Sequence, residues 1–548
     1  MYGIGDYLCP VATHVRVRES RKRTSRSARI RWPAPAWGAI GVTALFVGIT
    51  CWWLTQDRSI PIFDAGLHLS LAIGVHHELS SGHLLGALTL TLPYPPFAYL
   101  VGSLGILAGG VGVAPPILAE NLVFVPLLAL GCYQLGRLAF GPLAGLLAVV
   151  FALGSPLITA QFHVFMIDAP ETAMVAVSVW LIVLTDGFSR LKACALAGVA
   201  VGLGMLTKEP FAFFVVGIVC VTALRGGRGA LRGFALFAAV ALAIALPWYV
   251  HEYTQMRLLA TEATDSYTAF IRPGKTVPNG IAPPRLSLAN LEWYLRNFLD
   301  AQIYLPLFVF AAVGWVWTMV GFARRRPVSP LALELAVGAF TAWAILTETF
   351  VHDPRYSMPL LVYLAVFGSG WIVRLARAPR IAAAAALALV ALANTLGASF
   401  GVGGGVAITI PHGFATALGG PGSITIYENA GYLVSAPQRD GDLIAVLQAL
   451  RHDGVRNVTW FPLQALEPDF STGGLMVLAQ IAGLGRPDTV TYEEMTRKDA
   501  TLDHTEVGSG PPPCVRLDDG TGVWVRIGNP FAPGAKDYCP LPRPHFYG

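Results

Sequence analysis

Apolar runs long enough to cross a bilayer, about 20 residues each, recur along the first 400 positions of the chain. They predict spanning helices over 37–55, 117–136, 142–160, 171–186, 193–207, 210–224, 233–250, 303–321, 331–350, 356–373 and 381–400. The first ends in Cys51-Trp52-Trp53 rather than a small-residue cleavage site, so it reads as an uncleaved anchor. The stretch 94–114 is apolar as well. Past residue 400 the pattern changes: Gly401, Gly403, Gly404 and Gly405 form a linker, and polar sequence follows. There Leu443, Val446, Leu447 and Leu450 fall on one helical face within 442–452. The runs 455–461 and 523–527 read as strands and 475–484 as a helix, which predicts a small α/β domain.

Composition narrows the class. Of 548 residues, 54% are hydrophobic and 13% charged, against roughly a quarter charged in soluble domains. With a mean hydropathy of +0.57, a soluble enzyme, a disordered chain and a disulfide scaffold are excluded. The expected fold is a polytopic α-helical membrane protein of about eleven spans. Its parts are a basic segment (1–36), a multi-span domain (37–400) and a soluble α/β domain (401–548). The seven cysteines show no CxxC or other metal-binding spacing, and nothing points to a nucleic-acid partner.

Charge sets the sidedness. Eight of the 38 basic residues lie between Arg16 and Arg31. With 94–114 treated as an interfacial or re-entrant piece, the inside loops hold Arg137, Arg190, Lys192, Arg225, Arg228, Arg232, Arg324, Arg325, Arg326, Arg374, Arg377 and Arg380. The short outside loops then hold only Arg58, Lys208 and Arg355. Counting 94–114 as a span reverses that bias. The expectation is therefore an N-terminus inside and a C-terminal domain outside, where Cys514 and Cys539 can form a disulfide.

Ionisable residues at membrane depth are functional candidates, and here they gather at the outer face. They are Asp64 and His68; His163, Asp168 and Glu171; Lys208 and Glu209; and His352, Asp353, Arg355 and Tyr356. Plainer readings stand beside these. Glu120 and Glu348 suit span ends solvated at the headgroups, His76-His77 an interfacial helix, Asp57 and Asp353 helix caps. Lys208 and Glu209 suit a structural ion pair, but Lys208 and Arg355 also run against the sidedness bias. A transporter or lipid flippase needs polar groups near the midplane or on both sides, and one-sided charge argues against both.

Five motifs occur in order: Asp64-Ala65-Gly66-Leu67-His68, Tyr94-Pro95-Pro96, Asp168-Ala169-Pro170-Glu171, Gly202-Leu203-Gly204-Met205-Leu206-Thr207-Lys208-Glu209-Pro210 and His352-Asp353-Pro354-Arg355-Tyr356. Over residues 37–375 this order resembles the GT-C superfamily of membrane glycosyltransferases. It is most similar to bacterial relatives of the dolichyl-phosphate-mannose protein mannosyltransferases and of the lipid A aminoarabinose transferase. The resemblance implies transfer of a hexosyl or pentosyl group from a polyprenyl-phosphate-linked donor to a glycan, lipid or protein acceptor, at the outer face of the cytoplasmic membrane. It makes Asp64 and Asp168 the catalytic or metal-coordinating carboxylates, and Lys208, Arg355 and Tyr356 the donor-phosphate site. His68, His163, Glu171, Glu209 and His352 are the supporting residues. Two positions depart from the pattern: Ala65 stands where protein mannosyltransferases carry Glu, and Glu209 where the usual residue is Gly.

The chemistry asks for these residue types independently. An acceptor hydroxyl needs a base, and a departing phosphate needs fixed cations. A single displacement inverts the anomeric centre. Asp64 and Asp168, with His68 or His163, also suit a divalent metal of unspecified identity.

Overall fold

The computed structural model describes residues 33–57, 61, 63–91, 93–270, 276–277, 280–281, 286–325, 329–348, 353–409, 423–428, 440–461, 472–484, 498–506, 514–516, 521–527 and 537–539. The basic head up to residue 32 and His352 lie outside them.

The chain is mostly helical. Helix α1 (Ala34–Gln56) is followed by α2 (Phe63–Ser80), α3 (Leu84–Thr89), α4 (Phe97–Gly109), α5 (Ala114–Phe140), α6 (Pro142–Leu153), α7 (Pro156–His163) and α8 (Asp168–Leu184). Then come α9 (Leu191–Met205), α10 (Phe211–Gly226), α11 (Leu231–Phe270), the short ribbon β1 (Thr276–Val277) and β2 (Gly280–Ile281), α12 (Leu288–Asn297), α13 (Tyr304–Ala323), α14 (Pro330–Ile345), α15 (Leu361–Gly370) and α16 (Arg377–Phe400). A helix falls in every predicted apolar window. By length and composition six of the helical segments among the described residues are able to cross a membrane, or seven when α6 and α7 are taken as one bent span. The other windows carry shorter helices. Helix α4, with 13 residues, reaches about 20 Å at 1.5 Å per residue, short of a 30 Å hydrocarbon core.

Local chemistry sets the breaks. The 61° bend between α6 and α7 lies at Gly154-Ser155, ahead of Pro156 at the start of α7. Proline brings no N–H to continue the α6 ladder. A Cβ on Gly154 would lie 2.2 Å from that of Ala391, so the small residue also admits α16. Gly131 does the same where α5 crosses α8, its virtual Cβ falling 2.5 Å from the Ala176 carbonyl carbon. One buried apolar cluster joins α1, α5 to α11 and α13 to α16; a second lies under α2 and α4.

Beyond α16, β3 (Val406–Thr409) and β4 (Ser423–Tyr427) pair antiparallel. Helix α17 (Asp440–His452), β5 (Asn457–Phe461), helix α18 (Thr472–Ile481), β6 (Asp499–Glu506), β7 (Val515–Arg516), β8 (Thr521–Ile527) and β9 (Asp537–Tyr538) follow. The second sheet runs β5-β6-β8-β7, with β5 parallel to β6 and β9 also on β8. Leu443, Val446, Leu447 and Leu450 of the anticipated stripe are fully buried in its core. Val477 of α18 enters the cluster under α2, beside Leu69, Ala72 and Ile73. The C-terminal unit is therefore seated on the helix whose first turn carries Asp64.

Candidate active site

Four separate segments bring the charged residues together. Asp168 starts α8, where its first turn buries it together with Glu171, at 2% and 1% exposure. Lys208 lies in the turn between α9 and α10, and its Nζ donates to Asp168 Oδ1 at 2.5 Å, with Glu171 Oε2 at 4.0 Å. That turn is tied down by Phe97 N–H donating to the Leu206 carbonyl and by Tyr249 Oη donating to that of Met205. Arg355 lies in a 3-10 turn over Pro354–Leu360, capped by the Asp353 side chain. Its guanidinium bridges Asp353 (Nη2 to Oδ2, 2.8 Å) and Asp64 (Nη2 to Oδ2, 2.9 Å). Tyr356 presents its ring to Lys208, 4.7 Å from Nζ to the centroid.

Burial and charge tune these groups. Burial alone would lower the Lys208 ammonium, but the carboxylates of Asp168 and Glu171 outweigh it and hold the pKa above the usual lysine value. Burial pulls the His68 imidazole down to about 4, against the pull of Asp64 and Asp168. Its Nδ1 shares a 2.6 Å hydrogen bond with Tyr99 Oη, and Tyr94 packs edge-on against its ring. Enclosure pushes the Glu209 carboxyl up.

The two aspartates differ in a way their motifs do not reveal. The Asp64 side chain is 52% exposed and that of Asp168 is 2% exposed. Asp64 can meet an incoming molecule; Asp168 faces Lys208.

Three expectations change. Lys208 pairs with Asp168, not with its neighbour Glu209. His163 leaves the cluster: its ring stacks on Trp53 at 4.2 Å, and Nε2 lies 3.4 Å from Ser399 Oγ. Glu120 is no headgroup charge but is 1% exposed inside the protein. Asp353, both a candidate and a cap in the sequence reading, is both here: the carboxylate that receives the Arg355 N–H at 2.8 Å also receives the Arg355 side chain. One site residue carries no sequence signal. Gln302 donates from Nε2 to the Pro354 carbonyl (2.7 Å) and to Ser357 Oγ (2.6 Å), which fixes the Arg355 turn.

A metal does not fit this donor set. Asp64 is paired with Arg355 and Asp168 with Lys208, so each carboxylate already faces a cation. No group of three or more His, Cys, Asp or Glu side chains among the described residues is arranged to hold an ion.

A family model matches part of the sequence, and solved structures match the fold. Residues 94–251, which hold Asp168 and Lys208, match the family model described as dolichyl-phosphate-mannose-protein mannosyltransferase. No curated protein matches the chain. Among solved structures, ArnT from Cupriavidus metallidurans in the apo state superposes with a TM-score of 0.53 at 14% identity, over 85% of this chain and 93% of that one. The same protein bound to undecaprenyl phosphate gives 0.54 at 15%, over 86% and 94%. The fold is that of ArnT. Within this fold the family-model match spans Asp168, Glu171, Lys208 and Glu209, while Asp64, His68, Arg355 and Tyr356 join them through the tertiary structure.

Proposed function

We propose that the protein transfers a sugar from a polyprenyl-phosphate-linked donor to an acceptor hydroxyl at the outer face of the cytoplasmic membrane, with inversion. The observation that carries this reading is the double pairing of Asp64 with Arg355 and of Asp168 with Lys208, drawn from four segments to one place. The donor phosphate competes with Asp64 for Arg355, and its arrival frees the exposed carboxylate. Asp64 then takes the proton of the acceptor hydroxyl while that oxygen bonds to the anomeric carbon. The bond from that carbon to the phosphate oxygen breaks, and the leaving phosphate keeps the electron pair. Its charge is met by Arg355 and Lys208 in a site shielded from water. Asp168 and Glu171 hold Lys208 in position, and the Tyr356 ring flanks it. No step requires a metal.

The structural setting supports the lipid-linked donor. An apolar cavity of about 390 Å³ lies between α12, α13, α14 and α15 and reaches Leu360, one turn beyond Tyr356. It offers the polyprenyl chain a place beside the phosphate site. The same reading takes all eleven windows as spans, the N-terminus as inside, and the unit from 401 to 548 as outside, on the face of Asp64. The ArnT structure bound to undecaprenyl phosphate is in keeping with such a donor.

The test is transfer by the purified protein from radiolabelled polyprenyl-phosphate sugars to cell-envelope acceptors. Asp64→Asn should lower turnover by roughly 10²–10⁴, the span of general acid–base catalysis. Arg355→Ala should cost about 2–4 kcal/mol in transition-state stabilisation. Near wild-type transfer by a correctly inserted Asp64→Asn protein would sink the assignment.

A further inference from the structure

The C-terminal unit touches the chain on both sides of Gln302, the residue whose amide fixes the Arg355 turn at Pro354 and Ser357. Gln302 ends a π-helical turn over Phe298–Gln302, closed by Ile303 N–H donating to the Phe298 carbonyl at 3.0 Å. Ser155 Oγ holds the Gln302 carbonyl at 2.7 Å from within the helical body. Before Gln302, the Asp300 carboxylate takes the Arg296 Nε–H at 2.8 Å and the backbone N–H of Thr425 in β4. After it, Tyr304 Oη donates to Oε2 of Glu428, just past the end of β4, at 3.3 Å.

This stretch has an unusual backbone. A π turn is rare and concentrates at functional sites. Tyr304 is 3% exposed and has φ +56°, a left-handed conformation that a bulky side chain adopts only as an outlier. Such a residue persists where the contacts around it impose the conformation. Strand β4 has a firm base from which to impose it. A Cβ on Gly397, near the end of α16, would lie 2.5 Å from Tyr427 Oη and 3.0 Å from the Glu428 carbonyl oxygen, and Tyr427 Oη donates to the Val402 carbonyl. The strand is thus pressed on α16 and reaches across to the start of α13.

We propose that β4 and Glu428, acting through Tyr304 and Asp300, clamp the π turn so that Gln302 holds Arg355 in place, which makes Glu428 and Tyr304 positioning residues for the phosphate site. That Arg355 meets a donor phosphate rests on the glycosyltransferase reading above; the clamp itself does not.

The test uses the full-length protein in nanodiscs, with two readouts. Hydrogen–deuterium exchange of the amides in 354–360 should rise in Glu428→Ala and in Tyr304→Phe. In transfer assays the KM for the polyprenyl-phosphate sugar should rise roughly three- to tenfold in both, the worth of one ordinary hydrogen bond, and by more than kcat falls. Loss of folded protein alone would lower kcat and leave KM unchanged. Glu428→Gln, whose amide oxygen still accepts from Tyr304, should match the wild type in both readouts. Glu428 is exposed, so its variants carry the measurement should Tyr304→Phe fail to fold. Exchange in 354–360 unchanged in Glu428→Ala, or a glutamine variant as loose as the alanine one, overturns the proposal. A wild-type protein that transfers from no polyprenyl-phosphate sugar would instead fail the glycosyltransferase reading, and the exchange readout would then decide the clamp by itself.

Discussion

Lys208 and Asp168 illustrate how much a buried ion pair depends on both partners. Each is nearly inaccessible, and removing one member of such a pair leaves an uncompensated charge, typically at a cost of 3–5 kcal/mol. Lys208→Met should therefore destabilise the protein by about that amount and abolish transfer. Adding Asp168→Asn should recover most of the stability and none of the activity. Thermal unfolding measured beside transfer separates the two roles, and a double variant no more stable than the single one would contradict the pairing. His68 gives a pH signature. Its pKa falls from 6.5 in the unfolded chain to about 4 in the fold, so between those values the unfolded state binds more protons. Stability is full above about 6.5 and is lost as pH falls towards 4, by about 3 kcal/mol at most. Unfolding temperatures recorded from pH 7 to pH 4 should drop less in His68→Gln than in the wild type.

Among the elements, the turn from Pro354 to Leu360 governs the site, because it aims Arg355 at Asp64 and Tyr356 at Lys208. Gln302 anchors it from a π-helical turn over Phe298–Gln302, itself held by Ser155 Oγ donating to the Gln302 carbonyl. Gln302→Ala leaves the Pro354 carbonyl without that donor. It should cost about 1–3 kcal/mol of stability and raise KM for the lipid-linked donor, while Gln302→Glu restores the shape but replaces the donating amide with a carboxylate. An unchanged KM in the alanine variant would show that the turn holds itself. Gln302 does not stand out in the sequence as a site residue, and the clamp that Asp353 makes on Arg355 is not legible there. A glutamine at the polar edge of an apolar window carries no periodic signal, and an aspartate before proline looks the same whether it caps a turn or also clamps an arginine. The stripe of Leu443, Val446, Leu447 and Leu450 was legible because a helix on a sheet must hide one face. The pair β3–β4 and strand β6 were not anticipated, since Val406–Thr409 directly follows a glycine linker and Asp499–Glu506 alternates charged residues with few apolar ones.

At the scale of the whole molecule, the seating of α18 on α2 places the C-terminal unit on the Asp64 face. Cysteines introduced in 260–300 and in the tail should then react with membrane-impermeant reagents from outside, and those in 225–232 or 324–326 should not. Tail labelling only after permeabilisation would reverse the topology. The sheet adds a redox expectation. Val515 pairs with Val523 and Tyr538 with Val525 on the same edge of β8, so continuing the register brings Cys514 and Cys539, two separate thiols in the structure, to the level of Trp524. In an oxidising compartment they should be disulfide-linked, and mass mapping without reductant that recovers both as thiols would refute it.

The sequence by itself determined the class of the molecule, the places where its helices fall and the residues that carry its charge. Hydrophobic run length, loop charge and the cost of burying an ionisable group are local properties that one chain displays directly. It also placed the motifs of Asp64, Asp168, Lys208 and Arg355 in order. Only the tertiary structure decided which carboxylate meets which cation, that Asp64 is open and Asp168 enclosed, and that His163 belongs to Trp53 and Ser399. Those outcomes depend on contacts between segments up to 291 residues apart. Such contacts are fixed by how packed helices present their ends, and no spacing along the chain records that.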